Sequence, residues 1–244
     1  MHGMELSPKQ IKPLDFHRME IELARMAALA ETNLADAVTA FERCDVTSAE
    51  NLVGADARVD AHFHAIQNGI YSLLTAHTLP ADLIREAITM TRLSADLERV
   101  GDLSKNIGKR ICLISREHSG PARGGVARMG RMSLQRFSDA LNAYASRDLA
   151  AARAVWIGDD EVDELYNSVF RELLLAMREN SETINAASHM VFIAKNFERV
   201  ADHATNVCEA LHFLETGEQL SKETIDMAGQ NDLVPSPKMV HPAR

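Results

Sequence analysis

The chain has 244 residues, of which 46% are hydrophobic, 25% are charged and only 5% are aromatic. This composition is typical of a globular protein and excludes a mainly disordered chain. The formal net charge of −9 at pH 7 argues against the basic surface with which proteins usually bind DNA or RNA. With only 12 glycines and 7 prolines, the sequence lacks the closely spaced turn residues of all-β folds, so we predict an all-α protein.

The first half of the chain predicts three helices. Apolar residues recur every three or four positions from Leu23 to Phe41, which is the pattern of an amphipathic helix. A second helix covers about residues 47–76, with Asp45 or Ser48 as its N-cap, and a third runs from a cap at Asp82 to about residue 114. Because the loops between them are short, we expect neighbouring helices to be antiparallel.

The second half predicts the same arrangement, with helices ending near residue 146, covering about 148–179 and covering about 181–215. A shift of 103 residues aligns Asp45 with Asp148, and a shift of 100 aligns residues 98–100 with 198–200, both Glu-Arg-Val. This repeat is too long for a solenoid unit and indicates a duplicated domain. We therefore predict two tandem, pseudo-repeated antiparallel three-helix bundles at residues 1–118 and 126–218, joined by a linker at 119–125 and followed by a flexible tail at 219–244.

The sequence also predicts the compartment. No uninterrupted apolar run approaches the ~20 residues that span a bilayer, and the first residues lack the apolar stretch of a secretory signal. The three cysteines are widely spaced and form no C-x-x-C motif, which is typical of a reducing compartment. We expect a cytoplasmic protein with no membrane insertion.

Acidic residues recur at i and i+4 on two helices of each half. The four pairs are Asp56/Asp60, Glu98/Asp102, Asp159/Asp163 and Glu198/Asp202, and Asn106 and Asn206 extend two of these rows at i+8. Such positions share one face of a helix. On the helix that carries Glu98, the apolar side chains occupy the opposite face, so we expect the acids to lie at or near the surface.

If the second and third helices of a half are neighbours, four carboxylates converge there. Each close pair then repels by roughly 1–4 kcal/mol, which favours the binding of two or more cations in each half. Oxygen donors favour Mg, Ca, Mn or iron. His64 and His203 could add nitrogen ligands, although such a histidine is more often a hydrogen-bonding partner. A solvated acidic face without metal is the other interpretation of these rows.

Three segments resemble the PhoU family of phosphate-signalling regulators, whose hallmark is an E/D-x-x-x-D motif in each of two three-helix bundles. The strongest match is IAKNFERVADHATNV at residues 193–207, followed by DLERVGDLSKNI at 96–107 and DDEVD at 159–163. The resemblance covers about residues 15–217.

The resemblance implies a cytoplasmic protein, often a dimer, that acts with a phosphate-specific ABC transporter and holds its sensor histidine kinase in the repressing state. It also implies multinuclear metal clusters, with Fe, Zn, Mn or Mg as candidate ions. The metal set carried over residue by residue is Asp56, Asp60, Glu98, Asp102, Asn106, Asp159, Asp163, Glu198, Asp202 and Asn206. The expected partners are the transporter ATPase subunit, the kinase and a second copy of the chain, without nucleic acid.

Two other functions compete with a metal-binding regulator. A carboxylate-bridged metalloenzyme needs a Glu-x-x-His motif from each of two helices, and the sequence offers only the unpaired Glu209 and His212. A metal-free helical adaptor could use the same acidic faces to dock onto basic partners. Because the sequence contains no nucleotide-binding glycine loop and no recognisable nucleophile with a base, we expect a protein that is not an enzyme.

Overall fold

The computed structural model describes residues 14–114, 122–158 and 160–221, and this part of the chain is helical without strands. Its α-helices are α1 (Leu14–Arg43), α2 (Val46–Ala76), α3 (Ala81–Ile111), α4 (Ala122–Ser146), α5 (Leu149–Ile157), α6 (Asp160–Glu179) and α7 (Ile184–Thr216). A short 3-10 helix, Ser181–Thr183, precedes α7. The all-α prediction is confirmed.

The duplication is visible in the backbone where the first helix of each half ends. Cys44 after α1 and Arg147 after α4 both adopt the left-handed conformation, with φ of 53° and 57°. The next residues, Asp45 and Asp148, each donate a backbone N–H to a carbonyl five residues earlier, at 2.9 Å in both halves. Each aspartate side chain then caps the following helix. Of the two predicted candidates, Asp45 and Ser48, Asp45 is the N-cap of α2, and Asp148 has the same role for α5.

Five predicted helix boundaries are wrong. Pro80, not Asp82, is the N-cap residue of α3, and α3 ends at Ile111. The helix predicted over 148–179 is interrupted at Gly158, between α5 and α6. The last α-helix begins at Ile184 because Asn180 accepts a hydrogen bond from the Glu182 backbone N–H and holds a 3-10 turn before it.

The fifth error concerns the predicted linker, because α4 already begins at Ala122 and contains Gly124 and Gly125. A Cβ atom built on Gly125 would lie 2.6 Å from Val169 on α6. This glycine therefore serves helix packing rather than a helix break. The predicted flexible tail falls, from residue 222 onward, outside the described residues.

The two halves share one hydrophobic core. Helices α1–α3 pack against one another, α4–α7 form the second bundle, and α3 with α7 and α1 with α4 join the bundles. Phe41 of the first half meets Phe197 of the second edge-on at 6.5 Å, and both rings are almost fully buried. Gly130 on α4 leaves room for Phe197, since a Cβ there would lie 2.8 Å from its ring. Among the described helices, none is long and apolar enough to cross a bilayer.

Candidate metal centres

The first acidic cluster lies between α2 and α3. Asp56 is only 5% exposed, because its carboxylate packs against Gly101, where a Cβ would lie 3.4 Å from Oδ1. Lys105 bridges two of the acids: its ammonium donates to Asp56 Oδ2 and, at 2.6 Å, to Asp102 Oδ1. Because α2 and α3 are neighbours, as expected, Asp56 and Asp102 share one cation, the ammonium of Lys105.

The pKa of Glu98 is raised by its place in this cluster. Burial raises the pKa of this carboxyl above its ordinary value of 4.5, and the charges of Asp102, Asp60 and Asp56 add to the effect. Arg99 opposes it, with Nε 3.6 Å from Glu98 and Nη1 3.5 Å from Asp102. The pKa of Lys105 is raised by its two carboxylate partners despite burial. Four carboxylates therefore face two cations, and the cluster retains a negative charge that would attract a metal ion.

The second cluster lies between α6 and α7. Asp163, Glu198 and Asp202 each place a carboxylate oxygen within 4.8 Å of the other two. Glu198 is only 8% exposed, whereas Asp163 and Asp202 are exposed. Lys195 contacts Glu198 Oε1 and lies 5.3 Å from the centre of the Tyr166 ring. The remaining acidic ligand predicted for this half, Asp159, lies outside the described residues.

Each cluster contains one buried carboxylate oxygen without a hydrogen-bond partner. These atoms are Asp56 Oδ1 in the first half and Glu198 Oε2 in the second half. A buried carboxylate oxygen is costly unless a proton donor or a cation compensates it. The donor sets consist of hard oxygens, which suit Mg, Mn or Fe and can also bind Zn. The residues present therefore fit a metal ion in the second cluster, where oxygens of three carboxylates converge, whereas in the first cluster Lys105 already occupies two of the acids.

The two asparagines predicted as metal ligands make other contacts than the predicted ones. Asn206 donates from Nδ2 to Asp96 Oδ1 of α3, at 2.9 Å, and so joins the two bundles. Asn106 lines a cavity beside Lys109 and Arg110. The structure thus directs both asparagines toward the α3–α7 interface.

The two histidines considered as nitrogen ligands are also placed elsewhere. His203 lies with Nδ1 2.8 Å from Asp96 and takes part in the same contact between bundles. His64 is exposed on α2 beside the ring of Phe63. Neither belongs to a close group of three or more acidic, histidine or cysteine side chains within the described ranges.

The Glu-x-x-His string of the competing metalloenzyme lies apart from both clusters. Glu209 accepts a hydrogen bond from Trp156 Nε1 at 3.1 Å. His212 is buried, and its pKa is lowered by that burial and by the charge of Arg153. The described residues bring neither side chain into a carboxylate group like those of the clusters.

The prediction that the acids lie at the surface is wrong for Asp56 and Glu198. A helical wheel considers one helix at a time, and it misses the neighbouring helix that covers part of its polar face. Two signals in the sequence were available: Gly101, which permits α2 to approach α3 closely, and Lys105, three residues after Asp102 on the same face.

Comparison with known proteins identifies relatives along nearly the whole described chain. The PhoU domain family matches twice, over residues 23–111 and 126–211. The chain is 40% identical over 203 residues to the phosphate-specific transport system accessory protein PhoU homolog of Caulobacter vibrioides, covering 83% of this chain and 88% of that protein. It is 36% identical over 201 residues to the protein of the same name from Rhizobium meliloti, covering 81% and 84%.

Two solved structures share the fold. The crystal structure of PhoU from Pseudomonas aeruginosa superposes with a TM-score of 0.80 at 26% identity, covering 84% of this chain and 98% of that one. The phosphate transport system regulatory protein PhoU from Streptococcus pneumoniae gives a TM-score of 0.77 at 25% identity, covering 84% and 97%. The tandem matches of the family coincide with the two bundles of the structure.

Proposed function

The chain belongs to the PhoU family, and on that premise we propose that it regulates phosphate uptake and phosphate-starvation signalling as a metal-binding adaptor. Relatives that span most of its length are named accessory or regulatory proteins of phosphate transport. We propose that it binds the ATPase subunit of a phosphate ABC transporter and a sensor histidine kinase, as a cytoplasmic homodimer that is not itself an enzyme. Such an adaptor shifts an equilibrium only by binding one state of its partners more tightly than the other.

The metal-binding part of this proposal is supported chiefly by the unpartnered oxygens Asp56 Oδ1 and Glu198 Oε2. In the second half, Asp163, Glu198 and Asp202 would hold the ion, and the proposal extends to Asp159 from the sequence. A bound ion would compensate the unpartnered Glu198 Oε2 and would hold α6 against α7. The ligating side chains would then set the distance between α6 and α7.

In the first half, Asp56, Asp60, Glu98 and Asp102 would hold the ion, but Lys105 would have to leave its position. Lys105 already donates to two of the four acids. This competition favours a second candidate function for the first cluster, a metal-free acidic surface. The halves then differ, with a metal in the second cluster and a lysine in the first.

Elemental analysis of the full chain, purified without chelators, tests the metal-binding part. We expect at least one Mn, Fe or Zn ion per chain, which Glu198→Gln reduces and Glu209→Gln does not. The second variant is a matched control, because Glu209 lies on the same helix but contacts Trp156. Less than one metal per chain, together with no thermal stabilisation by added Mn²⁺ or Zn²⁺, would establish the metal-free adaptor instead.

Gene deletion tests the regulatory part separately. In high phosphate, the deletion should derepress phosphate-starvation genes, and the intact gene should restore repression. Affinity purification from phosphate-replete cells should recover the transporter ATPase subunit and the kinase. If repression and phosphate uptake are unchanged in the deletion strain, the regulatory function is wrong, whatever the metal content.

A further inference from the structure

The interface between α3 and α7 contains two pseudo-equivalent sites. Each residue of α3 at one site corresponds to the residue of α7 that lies 100 positions later at the other site. At one site, Asp96 of α3 accepts a hydrogen bond from Asn206 at 2.9 Å and lies 2.8 Å from His203 Nδ1. Asp96 and His203 are both largely buried there, with side chains 15% exposed. This acidic site is closed by contacts within the chain.

The other site has the opposite character. The residue equivalent to Asp96 is the neutral Asn196, and the residue equivalent to Asn206 is Asn106. Both line an open cavity of about 400 Å³ instead of bonding to an acid. The full lining is Asn106, Lys109, Arg110, Leu113, Phe192 and Asn196. We call this cavity the basic site.

The charge of the basic site also differs from its counterpart. Lys109 and Arg110 stand where the second half has Glu209 and Ala210. No acidic side chain lines the cavity, and within the described residues no carboxylate forms an ion pair with Lys109 or Arg110. Lys109 and Arg110 are the only two consecutive Lys or Arg residues in the sequence.

The guanidinium of Arg110 is held in place by neutral groups. It lies 4.3 Å from the centre of the Phe192 ring, and its Nη1 lies 3.3 Å from His189 Nδ1. Burial and the nearby Arg110 charge lower the pKa of His189, so the imidazole stays neutral and can accept this hydrogen bond. These contacts thus orient Arg110, and none of them pairs its positive charge with a carboxylate.

We propose that the basic site binds a phosphate-type oxyanion, with Lys109 and Arg110 supplying charge and Asn106 and Asn196 supplying amide N–H donors. Arginine and lysine beside neutral donors are the usual protein partners of phosphate groups. The cavity is within the range of ~300–1,000 Å³ typical of small-molecule sites. It therefore accepts either free phosphate with water or a phosphoryl group attached to an organic moiety that packs against Leu113 and Phe192.

Calorimetric titration of the full chain with inorganic phosphate and with AMP, in the presence of a chelator, tests this site. Asn196→Asp introduces the acid of the pseudo-equivalent site without changing side-chain shape, and we expect it to weaken binding about tenfold or more. Lys109→Glu, at an exposed position, should act in the same direction. The matched control is Asp96→Asn, the reverse exchange at the acidic site, which should leave affinity for the probes unchanged.

The two probes distinguish the source of the oxyanion. Equal affinity for phosphate and AMP indicates a free anion, and tighter binding of AMP indicates a phosphorylated small molecule. Circular dichroism of Asn196→Asp confirms that its helices are intact. The proposal is overturned if neither probe binds at tens of millimolar, or if both site variants bind as the unaltered chain does.

Discussion

Lys105 is the side chain on which the stability of the first acidic cluster should depend. It is 21% exposed and donates to Asp56 and Asp102. Lys105→Met keeps most of the apolar stem and removes the ammonium. Asp56, only 5% exposed, would then have no hydrogen-bond partner for either oxygen among the contacts described, because Oδ1 has none already.

The size of the effect follows from that burial. Breaking a fully buried ion pair destabilises a protein by ~3–5 kcal/mol, because the remaining charge is left uncompensated. Lys105 and Asp102 are partly exposed, and solvent screening reduces the expected loss to about 2 kcal/mol. For a chain of this length each kcal/mol corresponds to ~2–4 °C, so the melting temperature should fall by about 4–8 °C.

The assay is thermal and urea denaturation in chelator, with Lys195→Met as the matched control. Lys195 also contacts a cluster glutamate, but it is 48% exposed, so its removal should change the free energy of unfolding by less than about 0.5 kcal/mol. The double variant Asp56→Asn with Lys105→Met should be more stable than Lys105→Met alone, because the orphaned charge is gone. Equal melting temperatures for Lys105→Met and the unaltered chain would refute this reasoning.

Metal addition extends the same experiment. Mn²⁺ or Zn²⁺ should stabilise Lys105→Met more than the unaltered chain, because the ion no longer competes with an ammonium for Asp56 and Asp102. If the increments are equal, the first cluster is not a metal site.

Two further predictions concern single side chains. Glu98→Gln should stabilise the metal-free protein at pH 7, by about 0.5–1 kcal/mol, because it removes a partly buried charge and its repulsion with the other carboxylates. Since the folded pKa is raised above the ordinary 4.5, the gain should shrink as the pH falls through the folded pKa and vanish well below 4.5, where Glu98 is protonated in both states. A gain that persists at low pH, by urea denaturation, would contradict this. Gly108→Ala should destabilise by ~1–3 kcal/mol, because its Cβ would lie 2.8 Å from the Ala49 carbonyl oxygen. Gly54→Ala, with open space around it, should instead stabilise by ~0.5–1 kcal/mol in the same urea titration.

The sequence predicted those parts of the fold that depend on local chemistry. Apolar periodicity located the long helices, and Asp45 and Asp148 marked two helix starts because their side chains can reach backbone N–H groups. The failures occurred where packing overrides local preference. Gly125 was interpreted as a helix breaker, yet it lies in a helix because Val169 needs the space that a side chain would fill.

The candidate site was less predictable for the same reason. Repeated acid spacing identified Asp163, Glu198 and Asp202, which the fold brings together. Spacing along one helix could not show that Asn206 bonds to Asp96, since the partner belongs to the other half of the chain. A residue at i+8 in an acidic row therefore shares a helix face with the acids. Whether it can bind the same metal ion depends on which other helix packs against that face.

The duplicated halves reach charge balance in different ways. In the first, Lys105 at i+3 from Asp102 reaches over to the buried Asp56 and compensates part of the negative charge from within the chain. The equivalent residue of the second half is Thr205, which carries no charge, and the buried Glu198 there contacts the half-exposed Lys195. A mobile, solvated ammonium compensates a buried carboxylate poorly, because water screens its attraction and its side-chain entropy opposes a fixed position. Glu198 therefore has a stronger demand for an external cation than Asp56, and because its carboxylate converges with those of Asp163 and Asp202, a metal ion added in small amounts should occupy these three residues first.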